Sequence, residues 1–186
     1  MSPGFRLAFL AVTWGAWMLP FFLFRPKDRP KAVQVARKAR WGIALVAFGF
    51  WLNFLHTPAT WATEFVLWRV AVASVFAAMG ILLAWTAIRS LGRQWRVDAG
   101  LNADHQLVRT GPYRIVRHPI YAAMLCMFLT GVAAIGTFPA WPVALAFFIA
   151  GTEIRVRTED GLLRGRFAGE FEAWQRAVPA YLPFLR

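Results

Sequence analysis

The eleven residues GPYRIVRHPIY, Gly111 to Tyr121, join a basic, Trp-containing loop to a long apolar run, and their reading decides what the rest of the chain is for. Proline disfavours helix at the residue before it and suits the first helical position, so the spacing predicts a helix beginning at Pro119 with His118 at its mouth. The first turn of a helix leaves backbone N–H groups unpaired and carries partial positive charge. Arg114 and Arg117 reinforce it, so an anionic group such as a carboxylate would be welcome there. A plainer reading makes the same residues a juxtamembrane Arg-His cluster that only meets lipid phosphates.

Outward from this stretch the chain is dominated by apolar runs. Of 186 residues, 59% are hydrophobic, with 10 Trp and 17 Phe, more than a soluble core requires. This composition predicts an all-α, polytopic membrane bundle forming one domain over residues 1–186. Five spans are expected, at about 5–24, 41–55, 65–88, 120–135 and 138–154. The last two are near the lower length limit and joined by the Gly136, Pro139 and Pro142 turn. Arg6 sits near the outer end of the first run, where a long side chain can snorkel to the interface. Trp41 and Trp51 read as interfacial anchors of the second, and the polar stretch from His56 to Glu64 reads as a short turn. No cleavage site follows the first run, so it reads as a retained helix rather than a removed signal.

The net charge of +12 falls in blocks between these runs instead of along one face, which argues against a nucleic-acid partner. The first block, Arg25 to Arg40, carries seven basic residues. With the N-terminus outside and the C-terminus cytoplasmic, every Lys and Arg except Arg6 and Arg69 lies on the cytoplasmic side, as the positive-inside rule asks. The single cysteine, Cys126, lies inside an apolar run and reads as a packed thiol. His56, His105, His118 and Cys126 show no paired-ligand spacing, so no metal is expected.

Residues 91–119 form the longest non-apolar segment, too rich in Trp95, Leu101, Leu107 and Val108 for a disordered linker. Beyond the fifth span, Leu163, Phe167, Phe171 and Trp174 recur at helical spacing. They predict an amphipathic helix over 157–176 that lies on the membrane or lids the loop. Charges at a membrane edge are costly, so Glu153, Arg155, Arg157 and Glu159 require an explanation. Either they pair among themselves at the end of the last span, or they floor a ligand cleft.

Asp104 to Tyr121, DHQLVRTGPYRIVRHPIY, resembles the signature of the integral-membrane methyltransferases that include isoprenylcysteine carboxyl methyltransferase and the phospholipid N-methyltransferases. The matching positions are His105, Leu107, Val108, Gly111, Tyr113, Arg117, His118, Pro119 and Tyr121. A second element of that family is an acidic pair after the last span followed by a Phe-Gly-containing helix, matched here by Glu159, Asp160 and Phe167. Together the two elements cover roughly Gln94 to Trp174. Three positions depart from the pattern: Ala123 and Ala168 replace glycines, and Asp160 replaces a glutamate. A methyl at Ala123 is expected to narrow the cofactor cleft.

The resemblance implies S-adenosylmethionine as cofactor, held near the cytoplasmic ends of the last two spans and closed over by the C-terminal helix. It makes Arg117, His118, Tyr121 and Glu159 the catalytic candidates. His105, Leu107, Val108, Gly111, Tyr113, His118, Pro119, Tyr121, Glu159 and Asp160 become the cofactor-binding ones. His118 with Arg117 suits the cofactor's carboxylate, and Glu159 with Asp160 its ammonium. Tyr113, Tyr121 and Trp95 offer aromatic faces to adenine or the sulfonium, although Tyr121 also reads as core and Trp95 as an interfacial anchor. The implied acceptor is lipophilic, either a carboxylate of the prenylcysteine kind or a lipid amine. Two competing readings are an NADPH-dependent sterol or enone reductase, whose family is similar around the same Arg-His-Pro element, and a non-enzymatic protein that binds anionic lipid.

Overall fold

The computed structural model describes residues 3–24, 32–55, 67–135 and 141–183. The His56–Glu64 turn, residues 25–31 of the basic block, the 136–140 part of the last turn and Arg186 lie outside them. Five helices carry the described fold: α1 (Pro3–Leu23), α2 (Ala39–Phe54), α3 (Leu67–Leu91), α4 (Pro119–Ile135) and α5 (Trp141–Ala177). Their outward faces are apolar, with Val12, Trp41, Trp51, Leu67 and Trp68 exposed, the inverse of a soluble surface. Two helices, Gly4–Leu23 and Leu67–Gln94, are long and apolar enough to cross a membrane; Ala39–Phe54 and Pro119–Ile135 are apolar but shorter.

Small residues set which helices meet. α2 packs along α5. A Cβ added at Gly42 would lie 2.7 Å from the Gly151 carbonyl, and one at Gly49 would lie 2.7 Å from that of Ala144. Such bare backbone lets two apolar helices approach where hydrophobic driving force between them is weak. α3 packs along α4 in the same way, with Gly80 against the Ala123 carbonyl. Ala123 is therefore buried in a cluster with Trp17, Ala84 and Met127, facing α3 instead of narrowing a cleft. At the other end of α4, the Arg69 guanidinium donates to the carbonyls of Val132 and Ala133, satisfying helix-end acceptors that have no partner of their own. Arg6 is only 6% exposed; it is packed inward and does not snorkel.

Two features were not foreseen. The segment before α2 forms a short strand, β1 (Ala32–Val35), paired antiparallel with β2 (Gly100–Asn102) in the long loop. This ribbon ties the first basic connection to the long loop, and a hydrogen bond from the Ala36 N–H to the Ala99 carbonyl extends it.

The helix that covers the expected fifth span, α5, runs on without a break through Glu153 to Asp160, whose charges find partners. The break falls later, at Ala168, with φ 44° and ψ −124°. That backbone region is nearly reserved for glycine and costs other residues about 1–3 kcal/mol. It lies where the methyltransferase pattern has glycine, which gives the glycine a physical reason. Ala168→Gly is expected to raise the melting temperature of the detergent-purified protein; a lower one would show that the kink is not held at this residue.

Candidate active site

The site is assembled from the loop between α3 and α4, the start of α4 and the middle of α5. Gly111 opens a 3-10 turn, Gly111–Arg114, at φ 59°, and a Cβ there would press on the Ser90 hydroxyl. The turn places Tyr113 in the core against Ala87, Phe171 and Trp174. Helix α4 then starts at Pro119, as the sequence predicts, with Arg117 and His118 just ahead of it.

Those two side chains meet the acidic pair of α5. The Arg117 guanidinium donates to Asp160 Oδ2 at 2.9 Å, and His118 Nε2 lies 2.8 Å from Asp160 Oδ1. The other ring nitrogen, Nδ1, lies 3.4 Å from Glu159 Oε2, so the imidazole is held between two carboxylates. One turn earlier on α5, Arg155 pairs with Glu159 at 2.9 Å and donates through Nε to the Tyr121 hydroxyl at 2.7 Å. That hydroxyl in turn donates to Glu159 Oε1 at 2.6 Å. The membrane-edge charges divide accordingly: Arg157 and Glu153 pair at the surface, whereas Arg155 and Glu159 join the site.

Burial opposes the charged form of His118, but the hydrogen bonds and charges of Asp160 and Glu159 outweigh it and hold the imidazole above its ordinary pKa. Burial likewise opposes ionisation of Glu159 and Asp160. The His118 contact, with Arg155 for one and Arg117 for the other, overcomes it and holds both below the usual carboxylate range. His105 goes the other way, since burial lowers its pKa.

A cavity of about 540 Å³ opens beside this network, within the range of small-molecule sites. Seven of the ten cofactor-binding candidates line it: His105, Leu107, Val108, Tyr113, His118, Tyr121 and Glu159. Gly111, Pro119 and Asp160 do not. Gly111 shapes the turn and Pro119 starts the helix, while Asp160 is 3% exposed and lies behind Arg117 and His118. Trp95 is buried on the cavity wall with its ring edge-on to Phe21, and so is not an interfacial anchor.

The sequence offered no signal for the opposite wall, where Trp17, Met18, Phe21 and Phe22 of α1 join Ile43 and Val46 of α2. Nothing distinguishes them from other apolar helix residues until the helices pack. Among the described residues, no three His, Cys, Asp or Glu side chains gather as a metal site requires.

Five of the lining residues each carry a buried polar atom with no hydrogen-bond partner in the protein: His105 Nδ1, Gln94 Oε1, Arg117 Nε, Arg155 Nη1 and Trp174 Nε1.

A bundle of apolar helices in which an Arg-His-Pro helix start is bonded directly to an acidic pair beside a cavity is the arrangement that the sequence resemblance implies, and comparison with known proteins shows the family. The family model for phospholipid methyltransferase matches residues 68–169, from α3 to just past the kink, and the chain belongs to that family. It is 32% identical over 131 residues to the nickel-cobalt-cadmium resistance protein NccN of Alcaligenes xylosoxydans xylosoxydans, covering 68% of this chain and 54% of that protein. It is 32% identical over 137 residues to the cobalt-zinc-cadmium resistance protein CzcN of Cupriavidus metallidurans, covering 72% and 57%. The protein-S-isoprenylcysteine O-methyltransferase of Schizosaccharomyces pombe is 27% identical over 112 residues, covering 59% and 48%. The chain thus spans about half the length of the curated relatives it matches. Membership, with the two helices long enough to span, marks it as a membrane protein.

Proposed function

We propose that the protein transfers a methyl group from S-adenosylmethionine to a lipophilic acceptor at the cytoplasmic membrane face. The observation that carries this is one cavity on which charged motif residues and an apolar helix wall converge. Five membrane crossings of one domain, with the N-terminus outside, complete the reading, because they put the basic loops and the cavity mouth on one side.

The residues present fit the cofactor. Glu159, about a quarter exposed and on the cavity wall, suits its ammonium. Arg117 and Arg155 on the lining suit its carboxylate, and His105 and Gln94 the polar edge of a purine. Tyr113, Trp95 and Trp174 supply aromatic surface, favourable to adenine and to positive charge. When bound, S-adenosylmethionine supplies an electrophilic methyl on a sulfonium. The protein's part is alignment and exclusion of water. A carboxylate acceptor needs no base, whereas an amine must lose a proton first, to Glu159 or His118. The apolar wall of α1 and α2 suits an alkyl or isoprenoid tail entering from the bilayer.

Calorimetry of the detergent-purified protein with S-adenosylmethionine, its demethylated product and NADPH in parallel tests this. The first two are expected to bind at micromolar levels and NADPH not to; binding of NADPH alone would replace the transferase with a reductase.

A further inference from the structure

Beyond Ala177 the chain turns back under the start of α4. The backbone N–H of Arg117 donates to the Pro179 carbonyl at 2.8 Å, and that of His118 to the Ala180 carbonyl at 2.7 Å. The Arg117 guanidinium reaches the carbonyls of Gln175, at 3.2 Å, and Val178. The Gln175 amide donates to Asp160 Oδ2 at 3.1 Å while its oxygen accepts from Arg164. The Tyr181 hydroxyl bonds Glu153, and Ala180 and Tyr181 pack with Tyr121 and Val156.

Most polar contacts of this strap therefore end on the backbone of Arg117 and His118 and on the charged heads of Arg117 and Asp160. Amides at a helix start ordinarily lack partners and can take an anion. Here the chain's own carbonyls occupy those of Arg117 and His118, so these two amides are not available to an incoming anion. Neither Gln175 nor residues 178–182 line the cavity, so they act through the residues they touch, Arg117, His118, Asp160 and Tyr121.

We propose that Gln175 and the strap 178–182 are a positioning element that holds Arg117 and His118 in the geometry required for ligand binding in the cavity. The inference rests on the methyltransferase reading for the identity of that ligand. It rests on the hydrogen bonds alone for the positioning.

The test compares the intact protein with Gln175→Met, with Tyr181→Phe, and with a variant ending at Ala177. Amide hydrogen exchange is followed without ligand, and affinity for S-adenosylhomocysteine is measured by calorimetry. Ending at Ala177 should speed exchange at Arg117 and His118 at least a hundredfold, leave 122–135 protected, and weaken binding at least tenfold. Gln175→Met should weaken binding several-fold with an unchanged melting temperature; Tyr181→Phe should do less. If exchange accelerates equally throughout α4, or affinity holds in every variant, the strap merely closes the fold and the proposal is wrong. Absence of S-adenosylhomocysteine binding by the intact protein would instead overturn the methyltransferase reading. The exchange of Arg117 and His118 would still decide whether the strap positions them.

Discussion

An Asp160→Ala variant is expected to lose about 3–5 kcal/mol of stability, the usual cost of leaving buried charges without their partner. The Arg117 side chain is 1% exposed, His118 is little more, and both direct charged hydrogen bonds to this carboxylate. For a chain of this size the loss corresponds to a melting temperature roughly 6–20 °C lower, readable from tryptophan fluorescence in detergent. Asp160→Asn keeps an acceptor and should lose less. A parent-like melting curve for the alanine variant would mean that the three groups are not buried together.

The same network sets the pH range. The folded His118 pKa is raised, so its contribution is complete below the unfolded value near 6.5 and is lost as pH rises through the folded value. Asp160 and Glu159 are lowered, so theirs is complete above roughly 4 and is lost as pH falls through the folded values. Stability should therefore peak between these limits, and His118→Ala should abolish the alkaline decline.

The second large effect is on binding. Glu159→Gln should weaken S-adenosylmethionine affinity by about 10- to 100-fold, in line with the roughly 1.5–3 kcal/mol of a charge-assisted hydrogen bond. The fold should survive, because Arg155 keeps the Val97 carbonyl and the Tyr121 hydroxyl as partners and Gln retains an oxygen for that hydroxyl. Calorimetry beside a melting curve separates the two effects. Unaltered affinity would remove Glu159 from the site and shift the ammonium to another acid of the wall.

The all-α class and the start of α4 were readable from local chemistry, whereas the meeting of Arg117 and His118 with the acidic pair was expected only from the family resemblance and their direct pairing came from the structure. Apolar periodicity, a proline's fixed φ and a motif's residue types act within a few residues of themselves. What the local chemistry could not specify was which acid faces the cavity. Glu159 and Asp160 are neighbours in sequence, yet the helical step between them turns one to the cavity wall and the other into the Arg117–His118 pair. Nor could it reveal the α1 and α2 wall, the β1–β2 ribbon or the strap. Each depends on contacts between segments far apart in the chain, and an apolar helix face or a backbone carbonyl has no sequence mark until its partner arrives. The residue types that can do chemistry were written in the chain; their division into ligand-facing, supporting and merely shape-giving roles came from packing.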